Sequence, residues 1–212
     1  TGPSHGASEL TIDLGALKRN YRLLAARAET AECAAVVKAD GYGLGIEPVF
    51  RALRDAGCTT FFVATLDEAV ALRALQQGPV VYYLNGLMPD EADICRTQSI
   101  RPTLNDPGQI ERWADYCVAR HEALPAAIHI DTGMSRLGLT PREAAALAAT
   151  PHRLKDFEFA LLISHLACAD TPDHPMNAQQ RDQFADTADA LPKVPHSLAA
   201  SSGVFLGSAW HF

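Results

Sequence analysis

The stretch that decides the fold is Cys33-Ala34-Ala35-Val36-Val37-Lys38-Ala39-Asp40-Gly41-Tyr42-Gly43-Leu44-Gly45. Residues 34–37 form a short apolar run, which is typical of a buried strand. The three glycines that follow indicate a loop that needs positive φ angles or close backbone approach. Lys38 therefore lies where a strand ends. Its amine is either a cation that reaches solvent or an anion, or a nucleophile able to form a Schiff base with a carbonyl.

Strands and helices alternate outward from this stretch. Glu9 to Leu14 alternates as a half-exposed strand, and Asp13 is a candidate N-cap for a helix whose inner face carries Leu17, Tyr21, Leu24 and Ala28. Further strands are predicted at 34–37, 60–63, 80–84, 101–104, 126–130, 160–164 and 197–200, with helices at 47–56, 67–76, 90–96, 107–119, 141–149 and 178–190. These seven βα units favour an α/β fold of the (β/α)8 TIM-barrel type over a doubly wound sheet.

Composition narrows the function classes. The chain has 212 residues, of which 48% are hydrophobic and 20% charged, and a net charge of -7. The charge argues against nucleic acid or an anionic membrane as a partner. No membrane span or signal peptide is visible, so a cytoplasmic protein is expected. The five cysteines lack a CxxC pair, which predicts reduced thiols and neither disulfides nor a metal site.

We expect residues 1–8 to be a disordered or processed segment and residues 9–212 to form one barrel domain.

Polar residues recur at the ends of the later predicted strands, where barrel enzymes carry their chemistry. Arg136 lies in a Gly-flanked loop after the fifth strand, and His165 follows the sixth. A lone arginine or histidine at such a place is more often solvated or structural. Ser201, Ser202 and Gly203 follow the seventh strand at a helix start, which is a pattern suited to binding phosphate through backbone N–H groups.

These segments together resemble the alanine racemase family. Val36 to Gly45 is similar to the family's pyridoxal phosphate motif, in which the lysine, here Lys38, holds the cofactor and the tyrosine, here Tyr42, lies beside its phosphate. Leu44 stands where the family usually has histidine. The run Asp131-Thr132-Gly133-Met134-Ser135-Arg136-Leu137-Gly138-Leu139 resembles the DTGMxRxG motif, whose arginine contacts the cofactor's phenolic oxygen and the substrate carboxylate.

The resemblance continues to the end of the chain. His165 matches the histidine near the pyridine ring in the family's THxAxAD segment, and Ser201 matches its phosphate-binding serine, while Ala200 replaces an asparagine. Asn177 to Phe184 resembles a helix-opening pattern that we interpret as capping and packing. His129 stands where the family often has a carbamylated lysine that anchors the arginine.

The resemblance implies a pyridoxal 5'-phosphate enzyme of the isomerase class. It would interconvert L-alanine and D-alanine, a peptidoglycan precursor, through an aldimine on Lys38, which would also be the acid or base on one face. In the family, the opposite face uses a tyrosine from a C-terminal β domain of the partner subunit of a homodimer. Two alternatives are a non-catalytic pyridoxal phosphate-binding single-barrel protein and a folded remnant that binds nothing.

The last residues predict an open barrel. His211 and Phe212 match the first two positions of the family's HFDLVRPG run, which forms its eighth strand. Without that strand and the β domain, residues 1–212 alone are expected to bind the cofactor weakly and not to racemise alanine.

Overall fold

The computed structural model describes residues 10–212. Its first element is α1, Leu14–Arg27, and the Asp13 carboxylate accepts a hydrogen bond of 2.9 Å from the Ala16 N–H as the predicted N-cap. The prediction of a strand over residues 9–14 is wrong for the described part. Residues 10–13 have no regular structure and Leu14 already belongs to the helix. No strand among residues 10–212 pairs with this segment. The Asp13 N-cap favours the start of a helix at this point in place of a strand.

The predicted segment at residues 1–8 lies outside the described residues.

Seven parallel strands form one sheet in the order of the sequence. They are β1 Ala35–Val36, β2 Thr60–Val63, β3 Val80–Tyr83, β4 Arg101–Leu104, β5 Pro125–His129, β6 Glu158–Ile163 and β7 His196–Ser197. Every neighbouring pair is parallel. Because β1 and β7 are the two edges of the described sheet, the seven strands form a curled barrel wall that is open between them. This confirms the predicted barrel-type α/β class and strand order.

Helices follow the strands on the outside. After α1 come α2 Lys38–Tyr42, α3 Ile46–Asp55, α4 Leu66–Leu75, α5 Ala92–Thr97, α6 Pro107–Arg120, α7 Pro141–Ala149, α8 Pro175–Ala190 and α9 Ser201–Val204. Short 3-10 helices lie at Pro151–Lys155 and Ser208–Trp210. None of the helices within residues 10–212 combines the length and apolar character needed to cross a bilayer.

Apolar side chains form a layer on each face of the sheet. The larger layer lies between strands and helices and contains the fully buried Phe50, Phe61, Tyr83, Trp113 and Phe184. The smaller layer lines the concave face and is built on Phe62, Tyr82, Ala127 and Ile163, with the Phe62 and Tyr82 rings stacked 5.0 Å apart. Alternate residues of one strand thus face opposite layers, as the pleat of a strand requires. Both layers hold the strand ends in fixed positions.

Candidate active site

Lys38 begins a single turn of left-handed helix. Ala39, Asp40 and Gly41 have φ angles of 52°, 54° and 63°, and Tyr42 continues the run at 58°. Consecutive left-handed residues that are not glycine are strained, and such strain is concentrated at functional sites. The glycines of this stretch predicted positive φ angles, and Gly41, Gly43 and Gly45 have them. The turn places the half-buried Lys38 directly after the short β1.

Two carboxylates, one from α4 and one within the turn, connect this turn to its neighbours. Glu68 of α4 accepts 2.7 Å hydrogen bonds from the N–H groups of Ala39 and Ala64, and so joins the end of β1 to the end of β2. Asp40 accepts a 2.7 Å bond from the Ile46 N–H at the start of α3. Sequence reasoning missed the role of Glu68. The capping box formed by Thr65 and Glu68 was the readable signal, since it fixes the glutamate at that helix start.

The loop that carries Arg136 closes back onto β5. The Leu139 N–H donates to the His129 carbonyl at 2.7 Å, and the Asp131 N–H donates to the Leu139 carbonyl at 2.9 Å. A Cβ on Gly138 would lie 2.8 Å from the Asp131 nitrogen, so only glycine permits this approach. Within the loop the Asp131 carboxylate accepts from the Gly133 and Ser135 N–H groups. Arg136 is exposed at the tip of this braced loop.

A buried polar network joins this loop to the residues after β6. Gln180 of α8 donates to the Thr132 hydroxyl at 3.2 Å and to the His165 carbonyl at 2.9 Å, and accepts from the Ala167 N–H at 2.8 Å. The hydroxyls of Thr132 and Ser164 share a 2.8 Å bond. The network fixes the backbone on both sides of His165. The interpretation of Asn177 to Phe184 as packing is confirmed, since Asn177, Gln180 and Phe184 are buried.

One detail of that segment was predicted wrongly. Helix α8 begins at Pro175 rather than near Ala178, and its cap is His174, whose side chain accepts from the Met176 N–H. Proline at the first helical turn starts the helix early because it has no N–H to leave unpaired.

Two histidines at the strand ends are kept neutral. Burial lowers the pKa of His129 to about 4, and repulsion from a protonated His165 ring or from the Arg136 guanidinium acts in the same direction, against a smaller opposing effect of Asp131. Burial also lowers the pKa of His165, with Arg136 and then Lys38 adding to the effect. These charge effects indicate that four side chains lie near one another at the carboxyl ends of β1, β5 and β6: Lys38, Arg136, His129 and His165.

The start of α9 lies beside the same group. Ala200 at the N-cap has no side-chain bond to the helix, and the first N–H groups are those of Ser201, Ser202 and Gly203. A Cβ built on the buried Gly203 would lie 3.3 Å from the side chain of Leu166, the neighbour of His165. The structure therefore places the predicted serines next to the loop after β6. The side chain of Tyr42 is exposed.

The chemistry of this end of the sheet suits a phosphorylated aldehyde. It offers an amine, a guanidinium, N–H groups at a helix start and a neutral imidazole, which are donors for anionic oxygens and a nucleophile for a carbonyl. Residues 10–212 contain no group of three or more His, Cys, Asp or Glu side chains arranged to hold a metal ion.

A family model, curated protein sequences and solved structures all match this chain to the same family. The family model "Alanine racemase, N-terminal domain" matches residues 12–212. An alanine racemase of Methylobacterium nodulans is 52% identical over 97% of this chain and 55% of its own length. A catabolic alanine racemase of Agrobacterium fabrum is 47% identical over 97% of this chain and 54% of its own length. The chain spans about half the length of the curated relatives it matches.

A solved structure supports the same conclusion about the fold. The crystal structure of alanine racemase from Bartonella henselae with covalently bound pyridoxal phosphate matches with a TM-score of 0.91 and 38% identity. The match covers 94% of this chain and 58% of that one.

Proposed function

The chain belongs to the alanine racemase N-terminal domain family, and from this premise we propose that it is the cofactor-binding barrel of an isomerase that interconverts L-alanine and D-alanine with pyridoxal 5'-phosphate. The observation that carries the proposal is the left-handed turn that places Lys38 at the strand ends. Arg136, His165 and the start of α9 are held at the same end. The activity is proposed for the full-length polypeptide that contains these residues.

Lys38 and α9 would hold the cofactor. When bound, pyridoxal phosphate supplies an electron-withdrawing ring that makes the α-proton of an amino acid easier to remove. The Lys38 amine would hold the cofactor through its aldehyde carbon and would carry a proton to or from one face of the substrate. The N–H groups and hydroxyls at Ser201, Ser202 and Gly203 bind the phosphate, with Tyr42 as a further contact.

Arg136 would recognise the substrate. A guanidinium is permanently charged and matches a carboxylate with two parallel hydrogen bonds, so it suits the α-carboxylate of an amino acid. His165, kept neutral by burial, lies beside the ring without adding a positive charge. Gln180 would keep the loops that carry Arg136 and His165 in fixed positions relative to each other, because its side chain donates to the Thr132 hydroxyl in one loop and to the His165 carbonyl in the other.

The opposite face needs a second base. We propose that a tyrosine from the C-terminal domain of a partner subunit supplies it, which makes the full-length enzyme a homodimer. A cytoplasmic location belongs to the same proposal and is supported by the five free cysteines.

The test is D-alanine formation from L-alanine by the full-length protein, titrated with pyridoxal phosphate. Lys38→Ala should abolish turnover, while Lys193→Ala, a change at an exposed lysine, should leave it unchanged. Ser201→Ala should weaken cofactor affinity by about tenfold, since one hydrogen bond to a charged group is lost. A parent protein that binds the cofactor but forms no D-alanine would favour the non-catalytic alternative.

A further inference from the structure

A pocket of about 270 Å³ opens at the amino ends of β3, β4 and β5, at the opposite end of the sheet from the candidate active site. Its walls come from the starts of these strands and from α4, α5 and α6. The exposed Gly78 and Ser99 are among its lining residues, so it is accessible from solvent. Because a single water needs only about 10–15 Å³, the pocket has room for a small molecule.

The charge of this pocket has one sign. Three arginines line it, Arg73, Arg96 and Arg101, and none of its lining residues in the described part of the chain is Asp or Glu. Glu122 lies outside the lining and pairs with Arg96 at 2.7 Å. Within residues 10–212, neither Arg73 nor Arg101 forms an ion pair with a carboxylate. The pocket therefore carries two uncompensated cations in a protein whose net charge is -7.

Arg73 is the more unusual of these two cations, because it is only 5% exposed. Its Nη1 and Nη2 donate to the carbonyls of Pro79 at 2.6 Å and Ser99 at 2.5 Å, and its Nε is sealed from solvent without a partner among the described residues. Two carbonyl dipoles do not replace an opposite charge, and a buried charge without one is costly. Burial and the nearby charge of Arg101 accordingly lower the pKa of Arg73.

A role in joining the starts of β3 and β4 accounts for the two carbonyl bonds of Arg73. It does not account for a second uncompensated cation beside an open cavity. A bound anion would account for both, since it supplies the missing negative charge and offsets the repulsion between the two guanidinium groups.

The rest of the lining indicates which kind of anion fits. Ile100, Trp113 and Leu124 also line the pocket. The Trp113 Nε1 donates to the Leu124 carbonyl at 3.3 Å, so its N–H is already used and the indole offers apolar surface. An inorganic ion would lose water against such surface without a return, whereas an organic anion can place its apolar part there.

We propose that this pocket binds a small organic carboxylate with a compact apolar body, whose negative charge is balanced by Arg73 and Arg101. The carboxylate accepts from the Arg73 guanidinium, and the apolar body lies against the Trp113 side of the pocket. The site is independent of the proposed function and of the residues that would carry it.

Fluorine-19 NMR titration of the full-length protein with 4-fluorobenzoate tests the site. We expect saturable binding that persists in Arg136→Leu, because Arg136 lies at the other end of the sheet. Arg73→Met should weaken this binding by about tenfold or more, the effect of a lost hydrogen bond between charged groups. Arg101→Gln should weaken it in the same direction, and it decides the question if Arg73→Met does not fold. Arg142→Gln changes an exposed arginine and is the matched control.

No binding of 4-fluorobenzoate by the parent would overturn the proposal. So would binding that Arg101→Gln leaves unchanged, or binding that only Arg136→Leu removes.

Two further probes test the chemistry of the ligand in the Arg136→Leu protein. The uncharged 4-fluorobenzamide should bind at least about tenfold more weakly than 4-fluorobenzoate, because it brings no negative charge to the arginines. Inorganic phosphate should displace 4-fluorobenzoate less effectively than benzoate does, because it has no apolar body. Equal binding of the amide would show that the arginines do not select an anion, and equal displacement by phosphate would contradict the organic carboxylate.

Discussion

At the scale of single residues, the site depends on neutral histidines among cations. Burial of His129 and the positive charge of Arg136 act against its protonation, and Asp131 only partly opposes them. Burial of His165 and the charges of Arg136 and Lys38 act against protonation of that ring as well. Neutral rings can accept hydrogen bonds at pH values where an exposed histidine would be charged in part.

The lowered pKa of His129 predicts a loss of stability in acid. Because its pKa falls from 6.5 to about 4 on folding, only the unfolded chain binds this proton between those pH values. The free energy of unfolding should therefore decrease as the pH falls through that window, by about 3 kcal/mol for this group. Urea unfolding of the parent and of His129→Gln at pH 7 and pH 4.5 measures the effect.

His165 and His196 also have lowered pKa values, so the parent's pH dependence includes them. The difference between parent and His129→Gln isolates His129, and His152→Gln is the control. Parallel pH dependences for parent and His129→Gln would show that His129 is not buried as a neutral ring.

Sequence motifs identified the candidate site residues more readily than the residues that hold them in place. Lys38, Arg136, His165 and Ser201 were found from local runs of sequence, and the structure places each at or just after a strand end. Asn105, whose side chain contacts His129, and Gln180 were not found as supports of the site. Their partners, Leu84 and Thr132 among them, are 21 and 48 residues away in sequence, and only the folded sheet brings such groups together. A single sequence carries no signal for contacts of that range.

At the scale of elements, the left-handed turn after β1 is the strained part of the structure. Ala39, Asp40 and Tyr42 each adopt a conformation that costs about 1–2 kcal/mol for an L-residue. Contacts from α3 and α4 must offset that cost. Glu68 is the main support, since its carboxylate accepts from both Ala39 and Ala64.

Removal of this support should loosen the turn. Glu68→Ala leaves the N–H groups of Ala39, Ala64 and Thr65 without their charged acceptor and should lower the free energy of unfolding by about 2 kcal/mol. It should also weaken pyridoxal phosphate binding, because the backbone beside Lys38 loses its fixed position. Glu47→Ala is the matched control, since Glu47 makes only an exposed pair with Arg51 on α3 and should cost about 0.5 kcal/mol or less.

Chemical denaturation and cofactor titration of both variants measure these effects. If Glu68→Ala and Glu47→Ala had equal stabilities and affinities, Glu68 would not be the support of the turn.

The periodicity of apolar residues predicted where most strands and helices lie, and the predicted bounds differ from the observed ones mainly at the ends of the elements. The strands at 60–63 and 101–104 and the helix at 141–149 agree with the structure. The strands predicted at 34–37 and 197–200 are too long, since β1 and β7 contain two residues each, and β7 also begins one residue earlier, at His196. These are the edge strands, and each pairs on only one side, so fewer hydrogen bonds extend it. Apolar runs alone do not show which strands lie at an edge.

At the scale of the whole molecule, the two ends of the barrel wall differ in role. The carboxyl ends of the strands carry the cations and neutral histidines of the site, in a protein whose net charge is -7. The amino ends are joined by Arg73, which is buried and donates to the carbonyls of Pro79 at 2.6 Å and Ser99 at 2.5 Å, just before β3 and β4. Cationic side chains at the carboxyl ends of the strands suit the binding of anions there, and that is the end at which barrels of this type carry their sites.

Lys38 is the residue proposed to bond pyridoxal phosphate. Borohydride reduction of the loaded full-length protein, followed by peptide mass spectrometry, tests it most directly because the adduct marks the reacting amine. We expect a pyridoxyl group on the peptide that contains Lys38 and none after the Lys38→Ala change. An adduct on Lys18, Lys155 or Lys193 in the parent, with Lys38 unmodified, would contradict it.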